Sequence, residues 1–323
     1  MGELLYLSRG DVERVGLAMA DVIRVVEAAY EQKGLGRSES PPKLGIHPGG
    51  PDEFIHAMPA AVRGLDAAGV KWVSSYPGNR GRSLPLVTGL IVLNDPETGL
   101  PLAVMDATWV TAMRTGAVTA VAARRLARPE SSAVGVLGCG VQGRSNVQAL
   151  TEAFAIQEVR GWDPVPGAAA AFAQEAGARF GVRAYPADEP RAAVNGCDIV
   201  VTAGPMARPG RDTIAPGWLA PGSCIIMVDY GSSVHPDALA EVGKFCTDDR
   251  AQLTAAASAG YFSHVPPVYA DLGELVVGQR PGREADDEVT AIAHLGLAIC
   301  DIAVGVAVYR EAVRQGVGRT LPQ

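Results

Sequence analysis

The sequence holds no lysine- or arginine-rich block, no Cys-x-x-Cys pair, no internal repeat and no low-complexity tract. The formal net charge of -7 is spread along the chain without basic patches interleaved with aromatics. The electrostatic footprint of a nucleic-acid binder is therefore missing, and small molecules are the expected partners. Five cysteines (Cys139, Cys197, Cys224, Cys246, Cys300) stand singly and in odd number. That pattern argues against a disulfide framework and against a zinc site, so a reduced, cytoplasmic protein without a metal is expected. The first residues carry Glu3, Arg9, Asp11, Glu13 and Arg14 with no continuous apolar core, so neither a secretory signal nor a membrane anchor is expected there. The most lipid-like stretch, Val289 to Tyr309, is interrupted by His294 and Asp301. Uncompensated charge inside a bilayer is costly, so this stretch is read as one helix buried in protein and no membrane partner is expected.

What the chain does have is apolar material, 48% of 323 residues, enough for two ordinary cores. Residues 1–129 read as a helix around Asp11 to Lys33, then strand-like runs "FIHAMPAAV", "GVKWVSSYP" and "LVTGLIVLNDPETGLPLAVMD". Within the last run "NDPETG" marks a hairpin, and the Ala-rich helix "WVTAMRTGAVTAVAARRLA" follows. From 130 to 282 short apolar strands ("AVGVLG", "EVRGW", "VRAYP", "CDIVVTA", "SCIIMVD", "KFCTD") alternate with helical segments. Such alternation marks a parallel sheet with crossover helices. The final apolar helix is too greasy to stand alone, so 283–323 are expected to return to the first domain. The expected fold class is α/β: a doubly wound Rossmann domain plus a discontinuous α+β domain.

The Rossmann reading is specific because Gly138-x-Gly140-x-x-Gly143 follows a strand and opens a helix. The first glycine permits a tight turn, the second lets backbone approach a pyrophosphate, and the third permits close helix-strand packing. Val141 and Gln142 lie within the motif, and Thr115 and Thr202 complete the expected cofactor-binding set. Asp163 closes the next strand at the spacing of the acid that binds the adenosine ribose, and a carboxylate there repels a 2′-phosphate. NAD is thus the expected cofactor, with NADP open through Arg144 or Arg160 nearby.

Two cations sit in unexpected places. Lys71 lies inside the apolar strand "GVKWVSS", where a snorkelling surface lysine and a functional one are both open readings. Arg114 lies in an otherwise Ala/Val/Thr helix and needs a partner, for which an anionic ligand is a natural candidate.

The ordered segments "HAMPA", "GVKWVSSYPGN", "LPLVTGLIVLND", "ETGLPLAVMD", "WVTAMRTGAVTAVAA", "GVLGCGVQGR" and "HLGLAICDIAVGVAVY" resemble the ornithine cyclodeaminase and mu-crystallin family over nearly the whole chain. The resemblance implies that the first domain binds substrate and forms a homodimer, and that a cation cluster holds the substrate's α-carboxylate beside the nicotinamide. Lys71 matches the family lysine of G-x-K, and Arg114 matches the arginine of the R-T-(A/G)-A helix start. Lys43, in "PPKLGIHP", stands where the family usually has an arginine, and a lysine cannot make the bidentate fork with a carboxylate.

A second departure concerns the acid that cyclodeaminases carry after the fifth Rossmann strand. This chain reads "IIMVDYGSSVHPDALAE", with Gly231 where the acid would align and Asp229 displaced. The resemblance therefore implies an NAD(P)-dependent oxidoreductase acting on the C–N bond of a small α-amino acid or its imine, an imine reductase or amino-acid dehydrogenase. Lys71 is the first candidate for proton transfer, with Asp229 and His56 as catalytic alternatives, and Lys43, Lys71 and Arg114 are the substrate-binding set. Two other functions stay open: ammonia-eliminating ornithine cyclodeamination with tightly held NAD, and non-catalytic binding of nucleotide and small ligand as in mu-crystallin. Arg80 and Arg82, in "GNRGRSLP", are candidates to read a second carboxylate.

Overall fold

The computed structural model describes residues 3–50, 53–208, 210–262 and 264–322. They form two compact units, 1–114 with 297–323, and 115–296. The first opens with β1 (Glu3–Leu7), α1 (Arg9–Val15) and α2 (Met19–Gly34). The single expected helix is thus two. Ser8 and Asp11 form a capping box at the start of α1, and Gly16, at φ 69°, ends it in the left-handed conformation that glycine adopts without penalty. Then come β2 (Ser38–Glu39), β3 (Leu44–Ile46), β4 (Phe54–Val62), β5 (Ala67–Ser75), β6 (Val87–Asn94) and β7 (Pro101–Asp106), the last two forming the expected hairpin. Helix α3 (Thr108–Leu126) follows, and the division between units falls inside it.

The second unit contains β8 (Ala133–Leu137), α4 (Val141–Ala153), β9 (Glu158–Trp162), α5 (Ala168–Phe180), β10 (Arg183–Pro186), α6 (Pro190–Val194), β11 (Ile199–Thr202) and β12 (Cys224–Met227). After these come α7 (Pro236–Ala240), β13 (Lys244–Thr247), α8 (Arg250–Ser258), β14 (Ala270–Asp271), α9 (Leu272–Val276) and β15 (Thr290–Ala293). The sheet order is β10-β9-β8-β11-β12-β15-β13-β14, every pair parallel. Strands β11, β12, β13 and β15 are buried at every residue, as a sheet covered on both faces requires. The strand order reverses between β8 and β11, the switch point at which doubly wound sheets take ligands.

Strand β15 is the main correction to the sequence reading. The stretch Val289 to Tyr309 is not one helix: its first residues form this strand, Gly296 turns the chain at φ 80°, and only α10 (Ala298–Gln315) is helical. A fully buried strand and a fully buried helix share the same unbroken apolar pattern, so periodicity could not part them. Because β15 pairs with β12 and β13, residues 283–296 belong to the second unit rather than returning to the first. At the other end, the cut lies inside α3 and not at 129.

Helix α10 and β16 (Arg319–Pro322) complete the first unit. Its sheet runs β16-β1-β7-β6-β5-β4-β2, with β3 also on β4; β1 and β7 are parallel and the other pairs antiparallel. Helix α10 packs across β4, β5 and β6 and against α2. The covered face carries Met58, Lys71 and Ile91 in one cross-strand row, all buried. The opposite face shows Leu44, Trp72 and Leu90 in another row, each with at least 43% of its surface exposed. Among the described residues no helix is long and apolar enough to cross a membrane.

Candidate active site

The glycine loop lies between β8 and α4 with Gly140 as the helix N-cap, and no side chain caps that end. The first N–H groups of α4 are therefore left for an anion. The three glycines serve different ends. A Cβ on Gly138, which sits at φ 103°, would come within 2.6 Å of the Ala203–Gly204 backbone, and one on Gly143 within 2.3 Å of the Gly138 carbonyl oxygen. A Cβ on Gly140 would meet nothing within 4 Å. Open space at the helix N-terminus is what a pyrophosphate needs, so the residues present fit a dinucleotide.

Asp163, just past β9, accepts from the Cys139 N–H at 2.8 Å and from the Val165 N–H at 2.9 Å, one on each oxygen. Each oxygen retains a lone pair for a ribose hydroxyl. Neither arginine considered for a 2′-phosphate is at liberty. Arg144 pairs with Glu175 and donates to the Cys139 carbonyl, and Arg160 pairs with Glu158 and donates to the Asn195 carbonyl. Val141 is exposed at the helix start, and the Gln142 carbonyl accepts from Asn146. Thr115 is buried on α3, one turn before Thr119, whose hydroxyl bonds Asn146 of α4. Thr202 ends β11 and donates to Asp229 at 2.6 Å.

Asp229 lies just beyond β12, fully buried, and its other oxygen accepts from the Ser233 hydroxyl at 2.6 Å. Burial raises its carboxyl above the usual range, the two hydroxyls opposing that shift only in part. Tyr230 and Gly231 follow at φ 59° and 70°, so the chain turns sharply here.

The first unit holds the cations. Lys71 is 1% exposed, and its Nζ lies 2.7 Å from Asp301 Oδ1. Arg114 donates through Nε to that same oxygen at 2.8 Å. Asp301 is wholly buried on α10. Burial lowers Lys71 to about 7, with Asp301 opposing the shift and Arg114 and Lys43 adding to it. The lysine of the covered strand face thus does not snorkel; it is held near neutrality in the interior. Lys43, half-exposed just ahead of β3, and His56 on β4 complete a neighbourhood with one buried carboxylate and several cations. Such a surplus suits an anionic ligand.

His56 stacks on Phe54 with ring centroids 4.0 Å apart, and burial together with Lys43, His47 and Lys71 lowers it to about 3. It is a neutral imidazole near pH 7. Arg82 is exposed in the 3-10 turn Pro77–Arg82, and the Arg80 side chain lies outside the described residues. Among the described residues no group of three or more His, Cys, Asp or Glu could hold a metal ion.

Asp301 is the member of this charge cluster that the sequence reading did not assign. Its signal was present: a carboxylate in an apolar helix demands a buried cation, and Lys71 and Arg114 were the two cations in need of a buried partner.

One unit is a doubly wound sheet with an open glycine loop and the other holds a buried cation cluster, which together define a two-domain protein of the dinucleotide-binding class. The chain belongs to the ornithine cyclodeaminase/mu-crystallin family, which matches residues 5–316. It is 37% identical to the alanine dehydrogenase of Archaeoglobus fulgidus over 330 residues, 98% of this chain and 97% of the relative. It is similar to the structure of Thermococcus litoralis Δ1-pyrroline-2-carboxylate reductase in complex with NADH and L-proline, with TM-score 0.88, 32% identity, and 98% and 99% of the two chains covered. An archaeal alanine dehydrogenase dimer with bound NAD superimposes with TM-score 0.87 at 35% identity, covering 99% of each chain.

Proposed function

We propose that this protein is an NAD(P)-dependent oxidoreductase acting on the C–N bond of a small α-amino acid or its imine. One observation carries the reading: a fully buried lysine poised at about 7, bonded to a buried carboxylate and bordered by Arg114 and Lys43. In this reading the dinucleotide, held by Gly138, Gly140, Gly143 and Asp163, supplies or accepts the hydride. The terminal nitrogens of Arg114 and the ammonium of Lys43 hold the substrate carboxylate, which fixes the α-carbon. Lys71 gives a proton to the imine nitrogen in reduction and takes one from the ammonium in oxidation. A group near neutrality populates both forms and serves both directions. His56, neutral at working pH, lines this neighbourhood without supplying the proton.

Two alternatives find less support. For cyclodeamination, Gly231 stands where the acid would align, and both oxygens of Asp229 accept from hydroxyls. Binding without catalysis gives no reason for a lysine held near neutrality at the cost of burial.

NAD is the preferred cofactor, because Asp163 repels a 2′-phosphate and Arg144 and Arg160 are committed to other partners. We also infer a homodimer through the open face of the first sheet, since the exposed row Leu44, Trp72 and Leu90 is apolar and continuous across strands. Five free, buried cysteines suit the reducing cytoplasm in which we place it.

The deciding experiment is a spectrophotometric screen of NADH and NADPH oxidation with small 2-oxo acids plus ammonia or methylamine, and with cyclic imines that carry or lack an α-carboxylate. Turnover of carboxylate-bearing imines with NADH preferred supports the proposal. Absence of turnover with all of them, or indifference to the carboxylate, overturns it. Sizing at micromolar concentration gives a dimer, and a clean monomer refutes that part.

A further inference from the structure

We propose that Asp301 is the positioning residue that sets the protonation of Lys71, through one carboxylate oxygen shared between Lys71 and Arg114. The inference rests on the function proposed above for Lys71 and assigns a role to a residue outside the substrate contacts.

The geometry is asymmetric. Asp301 Oδ1 receives both cations, Lys71 Nζ at 2.7 Å and Arg114 Nε at 2.8 Å. Oδ2, also buried, has no hydrogen-bond partner among the described residues. A carboxylate placed only to neutralise two cations would more naturally offer one oxygen to each. Sharing one oxygen brings the lysine and the guanidinium together, so each feels both the other's charge and the common anion. The two partners act on Lys71 in opposite senses: Asp301 favours its ammonium, whereas Arg114 disfavours it. The lysine's ionisation is then set by a contest between two fixed neighbours, on top of its burial.

Across the sheet, strand β6 places Ile91 and strand β4 places Met58 opposite Lys71, with the neutral His56 further along β4. Lys43 adds a weaker push against the ammonium. On the far side of the pair, Tyr30 and Cys300 act on Arg114, and His47 acts on His56. Asp301 is the anion that acts directly on Lys71.

The chain's composition makes the test direct. It has four lysines, Lys33, Lys43, Lys71 and Lys244, so a protein labelled with 13C at the lysine ε-carbon gives four signals to follow against pH. In the wild type one of them, absent in Lys71→Met, titrates near neutrality. Asp301→Asn moves that midpoint downward by about one pH unit or more, the usual effect of a contacting opposite charge. Arg114→Met moves it upward, and Asp301→Glu returns it toward the wild-type position. In steady-state kinetics of imine reduction, the alkaline limb of kcat/KM moves the same way in each variant, while NADH affinity is unchanged.

A Lys71 signal with its midpoint at the ordinary lysine value overturns the inference. So does a midpoint that ignores Asp301→Asn in a folded variant. If Asp301→Asn does not fold, the wild-type midpoint and the upward shift in Arg114→Met decide the matter alone. The titration needs no substrate, so it can fail while the proposed function stands. Turnover of no imine, with the titration as expected, overturns the function and leaves this role of Asp301 intact.

Discussion

Asp301 in the first unit and Asp229 in the second are both buried completely, and the two are partnered by opposite means. Asp301 meets a lysine and an arginine on a single oxygen. Asp229 meets two hydroxyls, one on each oxygen, from Thr202 and Ser233. The pair of cations holds Asp301 below the usual carboxylate range despite its burial, whereas hydroxyls compensate less than burial costs, so Asp229 is raised. A carboxylate matched by charges is a tool for placing those charges. One matched by hydroxyls places no charge beside it, and it precedes the sharp turn at Tyr230 and Gly231. Full burial is thus no guide to role by itself; the chemistry of the partners is.

The largest effect that breaks this comparison is Asp301→Ala. Removing one member of a buried ion pair leaves the others uncompensated and costs about 3–5 kcal/mol. Chemical denaturation should show that loss, and a variant as stable as wild type would mean the triad is not buried in solution. The equivalent change in the second unit, Asp229→Asn, should cost only about 1 kcal/mol, because an amide can replace one acceptor and a hydroxyl can turn to accept.

The pH dependence sharpens the contrast, since the two aspartates contribute with opposite sign. Asp301, lowered on folding, contributes stability that is present above the unfolded carboxyl pKa and is lost as pH falls through its folded value. Asp229, raised on folding, opposes folding once pH rises above its unfolded value, because the unfolded chain gives up that proton first. Asp229→Asn should therefore recover some of its deficit between mildly acid and neutral pH, relative to strongly acid solution. Melts from pH 3 to 7 check this, and a deficit that grows with pH would count against the assigned direction.

A comparison within the glycine loop separates structure from ligand. Gly140→Ala should leave the melting temperature near wild type, since its Cβ meets nothing within 4 Å, yet weaken NADH binding at least about tenfold by intruding on the pyrophosphate. Gly138→Ala and Gly143→Ala, which meet backbone below 3 Å, should lower both. Fluorescence titration beside a melt tells the two apart, and unchanged NADH affinity in Gly140→Ala would count against the cradle.

Much of this was legible in the sequence, unevenly between the units. The Rossmann strands could be drawn because each is a short apolar run bounded by turn residues, and the glycine loop falls where its strand and helix context put it. The far end of that sheet was not legible: β15 and α10 form one apolar stretch, and no local signal parts a buried strand from a buried helix. In the first unit, Lys71 and Arg114 were legible as misplaced charges. What periodicity could not give was their partner, because the contact between β5, α3 and α10 joins residues far apart in sequence. Asp301 was noticed only as an interruption of an apolar run. Matching a buried acid to buried bases across the chain would have found it.

The measurement that tests the central claim most directly is the kcat/KM of Lys71→Met on the imine found by the screen, taken beside NADH titration and a melt. Loss of a charge-assisted bond worth roughly 1.5–3 kcal/mol should reduce kcat/KM at least tenfold while NADH affinity stays near wild type and the melt shows the variant still folded, if less stable. A folded Lys71→Met protein with wild-type kcat/KM would contradict the account.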